Sequence, residues 1–474
     1  MLLALILMPI VLGACAMLVP SARTRAWLVP ASAVLHAALT AVIVISPPPS
    51  MFDRWLALGP LARVIVPILS AQYLVCSFYI PGYLAAHPER PNRIFCACLI
   101  ALLGTMSLVA VSHHLGLMWV GIETATLATA PLIYFHRTPR SLEATWKYLL
   151  IGSVGIAFAL YGSFFLASAA LHNGLHTSLL FEDLVRDATK LSKPWLHAAF
   201  VILLVGYGTK IGLAPMHTWK PDVYGEAPGI VGALLAGGLT TCAFCALLRF
   251  IQIMNAAGDG DLARSLLLAF GLLSIAVAAA FMIRQRDYKR MLAYSSVEHM
   301  GIVAFGLGIG GLVTYGALLH ILNNSFGKGV LFMAAGNLHR TYGSKLTADV
   351  TGAIHRVPAS ASLFLVGFFA ITGSPPFGLF LSEFAIVQAA FRTGQYWAAG
   401  LFLALLATVF IGMGAVVTRV VQGPAPSGTK REREPLLTVV PAFCCLAIVL
   451  LLGIYIPSWL DSGLRSAAAF VEMR

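Results

Sequence analysis

The chain alternates between long apolar runs and short polar breaks. A membrane span needs about 20 mainly apolar residues. Cutting the sequence at charge clusters, Pro and Gly gives about fourteen such runs, near 1–20, 26–46, 61–84, 94–112, 115–136, 145–171, 195–215, 226–251, 265–283, 291–310, 312–337, 358–391, 396–418 and 436–456. The pattern predicts an all-α polytopic membrane protein in which the first run is a span and not a removed signal. The run 358–391 is too long for one plain helix and contains Gly373, Pro375, Pro376 and Gly378, so it reads as a broken span. Gly206, Gly208, Gly212 and Pro215 weaken the seventh span in the same way. The two breaks fall five spans apart, and five is odd. Spans 4–8 and 9–13 therefore read as two inverted five-helix repeats. The expected division is 1–90 for spans 1–3, 91–255 and 256–420 for the repeats, and 421–474 for a cytoplasmic loop and the last span. Loop 172–194 is the longest and has room for one short amphipathic helix.

Composition agrees: of 474 residues, 59% are hydrophobic and only 11% charged, and a mean hydropathy of +0.86 excludes both a soluble globular and a disordered chain. The net charge of +12 would point to nucleic acid in a soluble protein. Here it follows the positive-inside bias. With the N-terminus placed outside, odd-numbered loops hold nineteen Lys and Arg, even-numbered loops and the tail hold nine, and three fall within spans. Both termini are expected outside, and no nucleic-acid partner is expected. Cys242 and Cys245 form a CxxC inside an apolar run, with no second pair nearby, and read as packing residues.

The informative residues are those that do not belong in hydrocarbon. A charged side chain at mid-bilayer costs roughly 2.5–3.5 kcal/mol. The spans hold Glu123, Lys210, Glu298, Lys328 and Glu383, with His299 and His320 beside them. On lipid-facing positions the five charges would cost roughly 12–17 kcal/mol together, so they must face protein or a hydrated cavity. Lys210 and Glu383 each accompany a broken helix, the setting that ion sites favour. His320, Asn324 and Lys328 are spaced i, i+4, i+8 and predict one polar stripe. Each residue reads either as a proton carrier or as a static ion-pair or hydrogen-bond partner. Glu298 and His299 are neighbours pointing about 100° apart on a helix, so they are not expected to share a face. His299 would join the stripe while Glu298 meets another surface. His113 and His114 are expected at the membrane interface, and His217 either gates the exit of the first break or is structural.

The segments Gly-Thr-Lys-Ile-Gly-Leu-Ala-Pro-Met-His-Thr-Trp-Lys-Pro-Asp (208–222) and Glu-Ala-Pro-Gly-Ile-Val-Gly-Ala-Leu-Leu-Ala-Gly (226–237) resemble the antiporter-like subunits of respiratory complex I. That family includes Mrp-type sodium/proton antiporter subunits and membrane subunits of energy-converting hydrogenases. Trp119 to Glu123, Lys147-Tyr148, Ala293 to Ser296, His320 to Leu331 and Phe377 to Phe384 extend the likeness over roughly residues 90–420. It implies fourteen spans and a hydrated polar axis at mid-membrane. Glu123 would be the acid paired with Lys210, Lys328 the central relay lysine, and Glu383 the terminal ionisable residue. A Glu at 383 resembles the M-type complex I subunit more than the L-type, and the chain leaves no room for the long lateral helix of the L-type. Ser-Val-Glu-His (296–299) resembles the F component of hydrogenase-4. Three positions depart from the pattern: Thr241 stands where a lysine is common, Lys220 where an apolar residue is usual, and Tyr224 where a His is common.

The expected function is that of a proton-translocating, antiporter-like membrane subunit of a redox-driven complex, most like hydrogenase-4, formate hydrogenlyase or complex I. The alternatives are a subunit of a stand-alone sodium/proton antiporter and the membrane part of an inorganic-carbon uptake system. The sequence holds no cysteine set for an iron–sulfur cluster and no G-x-G-x-x-G opening a helix after a strand. No cofactor, metal or catalytic redox site is therefore expected, and a quinone-reducing enzyme is disfavoured. Glu123, Lys210, His299, His320, Lys328 and Glu383 are the expected proton-translocating residues, with His217, Glu298, Asn324 and Thr241 as accessories. Expected partners are the lipid bilayer, other membrane subunits and, through them, a hydrogenase-like peripheral arm, with protons or sodium as the moving ion. The expected location is an energy-coupling membrane, the plasma membrane of a bacterium.

Overall fold

A computed structural model describes every residue except 176–177, 312, 427 and 474. The described residues are helical apart from loops and four isolated β-bridges. This is the economical answer to a bilayer, because a helix satisfies its own backbone groups where no water can. The helices are α1 (Leu2–Leu18), α2 (Ala22–Ile45), α3 (Pro60–Ser77), α4 (Tyr79–Ala85), α5 (Arg93–Val111), α6 (Leu115–Ile133), α7 (Pro139–Leu171), α8 (Phe181–Arg186), α9 (Lys193–Ile211), α10 (Trp219–Glu226), α11 (Gly229–Leu234), α12 (Thr240–Ala256), α13 (Gly260–Met282), α14 (Tyr288–Ile309), α15 (Val313–Tyr342), α16 (Ala353–Arg356), α17 (Pro358–Ile371), α18 (Gly378–Arg392), α19 (Tyr396–Gln422), α20 (Leu436–Ile454) and α21 (Ser458–Glu472).

Among the described residues, eleven continuous helical stretches are long and apolar enough to cross a membrane. The short α1, the polar α15 and the split pair α17–α18 bring the described spans to the expected fourteen. Both breaks are present. The seventh span ends at Ile211, where Gly212 (φ 78°) closes the helix in the left-handed conformation, and resumes as α10. The twelfth span is interrupted between Ile371 and Gly378. The eighth span is continuous but carries a π-helical turn at Leu235–Leu239 between α11 and α12.

Boundaries differ where caps decide them. The sixth span starts at Pro139, not 145, because Thr138 and Ser141 form a reciprocal capping box. The second starts at Ala22, where the Ser21 hydroxyl accepts from Thr24 N at 3.3 Å. The expected start of the eleventh span, residue 312, lies outside the described residues. Loop 172–194 does hold a short helix, α8, apart from its undescribed residues 176–177.

The sequence reading missed α21. Its Leu460, Leu464, Ala467, Ala468 and Val471 form one buried face on α3, α12 and α15, while Trp459 and Arg465 stay outside. It therefore lies against the bundle as an amphipathic helix.

The enclosed centre of the molecule is mostly apolar and holds a smaller set of buried polar side chains. The spans formed by α11–α12 and by α14 are enclosed by protein along their apolar windows, and α15 is buried from Val313 to Leu338 except at the half-buried Tyr315. The outer helices α2, α7, α19 and α20 bury only a third to two-fifths of theirs. Glu298, His299, His320 and Lys328 come from the enclosed α14 and α15, whereas Glu123, Lys210 and Glu383 come from α6, α9 and α18 around them.

Candidate functional site

The site begins at α6 and α7. Glu123 projects from α6 into an outward-facing groove of about 440 Å³ lined by Trp119, Ser153, Ile156, Leu160 and Phe164. Its carboxylate accepts from Ser153 Oγ at 3.2 Å and lies 4.0 Å from Lys210 Nζ. The Glu123 side chain is 20% exposed, that of Lys210 only 2%. Lys210 sits in the last turn of α9, just before the Gly212 turn. Its ammonium donates to Thr126 Oγ1 at 2.6 Å and lies 5.5 Å from the centre of the Tyr148 ring, whose hydroxyl is 2.6 Å from Thr129 Oγ1. A Cβ on Gly152 would fall 2.7 Å from that ammonium. The absence of a side chain at Gly152 is what leaves room for the charge.

The break itself is braced by polar bonds. Trp219 Nε1 donates to Thr209 O at 2.8 Å, occupying a carbonyl near the end of α9. In the first turn of α10, Asp222 pairs with Lys147 at 2.8 Å and Arg290 at 2.6 Å, and the far end is held as well. Glu226 pairs with Lys345 at 2.5 Å, and Lys289 Nζ donates to Ala227 O at 2.6 Å. These bonds tie the half-helix to α7, α14 and the segment after α15.

The middle of the site lies on α14 and α15. Lys328 is fully buried and donates to Ser295 Oγ at 2.7 Å. Beyond it, His299 Nδ1 and His320 Nε2 are 2.9 Å apart, and His320 Nδ1 is 2.9 Å from Ser382 Oγ on α18. Glu383 follows on α18 at the second break. Its carboxylate fills the place where a Cβ on Gly373 would be, 2.0 Å from Oε2, and Gly373 (φ 65°) takes a left-handed turn that favours glycine. One ligand atom from each of His299, His320 and Glu383 lies within 4.8 Å of the others, so this cluster could also hold a metal ion.

His299 joins the stripe as expected. The separation expected between it and Glu298 needs correction: Glu298 Oε2 lies 3.8 Å from His299 Nε2. The backbone vectors diverge, but a glutamate is long enough to curl back along its own helix. Asn324 lies buried on the stripe with its Oδ1 unpartnered. His217 lies buried after the first break, its ring 6.3 Å from that of Tyr294 and its Nδ1 unpartnered. Thr241 turns its hydroxyl back to Gly237 O in its own helix and lies 3.4 Å from Ser325 Oγ. His113 is buried beneath the loop carrying α8, with Nδ1 3.5 Å from Glu182, while His114 stacks on Trp55.

One site residue was noted in the sequence only as a departure from pattern. Lys220, on α10, is fully buried and donates to Ser296 Oγ at 3.1 Å, beside the serine that holds Lys328. The signal was present in the sequence, a lysine five residues after a proline that ends a broken span, but its direction was not.

The sequence matches the family model described as NADH:quinone oxidoreductase/Mrp antiporter, TM, over residues 112–411. It is 37% identical over 378 residues to the hydrogenase-4 component F homolog of Methylacidiphilum infernorum, covering 78% of each chain. It is 29% identical over 430 residues to NADH-quinone oxidoreductase subunit N of Desulforudis audaxviator, covering 86% of this chain and 83% of that one. Its fold is similar to a chain of the Mrp complex from Dietzia sp. DQ12-45-1b, with a TM-score of 0.87 at 16% identity over 99% of this chain and 97% of that one. The chain is an antiporter-like integral membrane subunit belonging to the NADH:quinone oxidoreductase/Mrp antiporter transmembrane family.

Proposed function

We propose that this chain moves protons across an energy-coupling membrane as one subunit of a redox-driven complex of the hydrogenase-4 type. The observation that carries the reading is the series of ionisable side chains from Glu123 through Lys210, Lys328, His299 and His320 to Glu383, buried in its middle and half-buried at its two ends, at both broken helices. Nothing in a purely structural bundle requires such a line, since apolar residues of similar size fill a core without the desolvation cost of charges. The hydrogenase-4 assignment draws on the named relative and on Ser-Val-Glu-His at 296–299.

Translocation works by charge coupling. A charge brought near the Glu123 groove by a neighbouring subunit loosens the Glu123–Lys210 pair. Lys210 then gives up its proton inward, toward Lys328. The His299–His320 pair accepts on one ring nitrogen and donates from the other, and Glu383 discharges the proton at the second break. Electrons stay in the partner subunits. The two five-helix blocks, each with its break, divide the line into an input half and an output half. Both termini lie outside in this arrangement.

The test uses inside-out membrane vesicles containing the whole complex, energised with hydrogen, or with NADH if complex I subunits co-purify. Lys210→Ala and Glu383→Ala are each expected to reduce vesicle acidification to background while the complex still assembles on a native gel. Wild-type acidification in both variants would end the proposal.

A further inference from the structure

Lys220 is a buried charge that the line of residues above does not use. Among the described residues no carboxylate lies within salt-bridge distance of it. Among the described residues its ammonium has one hydrogen-bond partner, Ser296 Oγ, and it lies 5.9 Å from the ring centres of both Trp219 and Tyr224. Removing a lysine from water without a counter-charge costs several kcal/mol, and a leucine or methionine would fill the same space without that cost.

Its position accounts for the charge. Lys210 closes α9 and Lys220 opens α10, so the two lysines stand on opposite sides of the first break. The stem of Lys220 lies across that break: a Cβ on Gly212 would be 2.2 Å from its Cε. Its head meets Ser296, and Lys328 meets Ser295, the preceding residue of the same helix. Lys220 therefore starts at the first break and ends on the helix that also holds Lys328, one serine further along. The eighth span offers no substitute at this junction. Thr241 spends its hydroxyl on its own helix, and Arg249 lies away from the axis against Phe181, its guanidinium 5.1 Å from the ring centre.

We propose that Lys220 is the relay residue joining the two halves of the axis, receiving a proton from the Lys210 side and delivering one to Lys328. The inference rests on the proton-translocation reading. The step balances: the Lys220 ammonium loses a proton and becomes an amine as the Lys328 amine gains one, and no other bond changes. The two lysines need not both be charged at once, which like charges so placed would resist.

Two substitutions test it in the same vesicles. Lys220→Gln keeps a donor for Ser296 but cannot carry a proton. Lys220→Arg keeps a charge but does not release its proton. Both are expected to assemble and to lower acidification by about a hundredfold, the lower range for a positioned proton-transfer group. Near-normal acidification in Lys220→Gln, with Lys210→Ala inactive, would overturn the relay and leave the functional reading standing. Full recovery in Lys220→Arg would also overturn it, since a fixed charge would then suffice. Normal acidification in Lys210→Ala and Lys220→Gln alike would remove the functional reading itself. Should Lys220→Gln fail to assemble, Lys220→Arg alone decides by the same criterion.

Discussion

Lys210 owes its place to a residue that has no side chain. A methyl on Gly152 would press directly on the ammonium and push it off Thr126 and away from Glu123. Gly152→Ala is therefore expected to slow proton movement about ten- to hundredfold, as ångström-scale misplacement does elsewhere, while the complex assembles normally. The check is vesicle acidification alongside a native gel. The ionisable residues were legible in the sequence because charge in an apolar run is conspicuous whatever the fold. What they touch was not legible. Glu298 reaches its neighbour His299 because side-chain length overrides helical phase. Lys220 enters the axis because the chain has already turned at Gly212. Thr241 could not be judged from its position, since only the structure shows its hydroxyl directed to its own backbone.

At the scale of elements, length and polarity located every span, and glycine and proline located both breaks. Caps moved the boundaries by several residues, as at Thr138. Helix α21 escaped because a search for long apolar runs passes over an amphipathic one, although Leu460, Leu464, Ala467 and Val471 carry a helical period. Its docking is polar as well as apolar. Tyr315 OH donates to Asp461 Oδ1 at 2.7 Å, Arg465 donates to Asp461 Oδ2 at 2.7 Å, and Thr314 Oγ1 donates to Glu472 Oε1 at 2.5 Å. The Arg465 and then the Tyr315 hydrogen bonds hold the Asp461 carboxyl below the usual carboxylate range. A carboxylate so stabilised contributes above its unfolded pKa, and that contribution disappears as the pH falls through the lower, folded value. Protection of the α21 backbone amides, taken relative to their intrinsic exchange rates, is expected to fall below about pH 4 in the wild type. In Asp461→Asn that protection is expected to be low already at neutral pH. Hydrogen–deuterium exchange of the purified complex measures both, and identical profiles in the two proteins would show that the pair does not fasten the helix.

For the whole molecule, membership of the family is settled by likeness over most of the chain, and the company it keeps is the next measurement. A gentle detergent pull-down of the tagged chain with mass spectrometry is expected to return hydrogenase-type or complex I-type subunits. A partner set without a redox protein would favour the antiporter or carbon-uptake alternatives, which sodium flux and bicarbonate uptake would then separate. The exposure of the axis has a consequence for the membrane that holds it. Glu123 is open to its groove, whereas Lys220, His320 and Lys328 are fully buried. A continuous aqueous wire through the same residues would discharge the membrane whether or not the complex was turning over. If protons take the proposed route, the enclosed middle would act as insulation: a proton at the open end would go no further until the charges around it rearranged, and an idle complex would not short-circuit the gradient it helps to build.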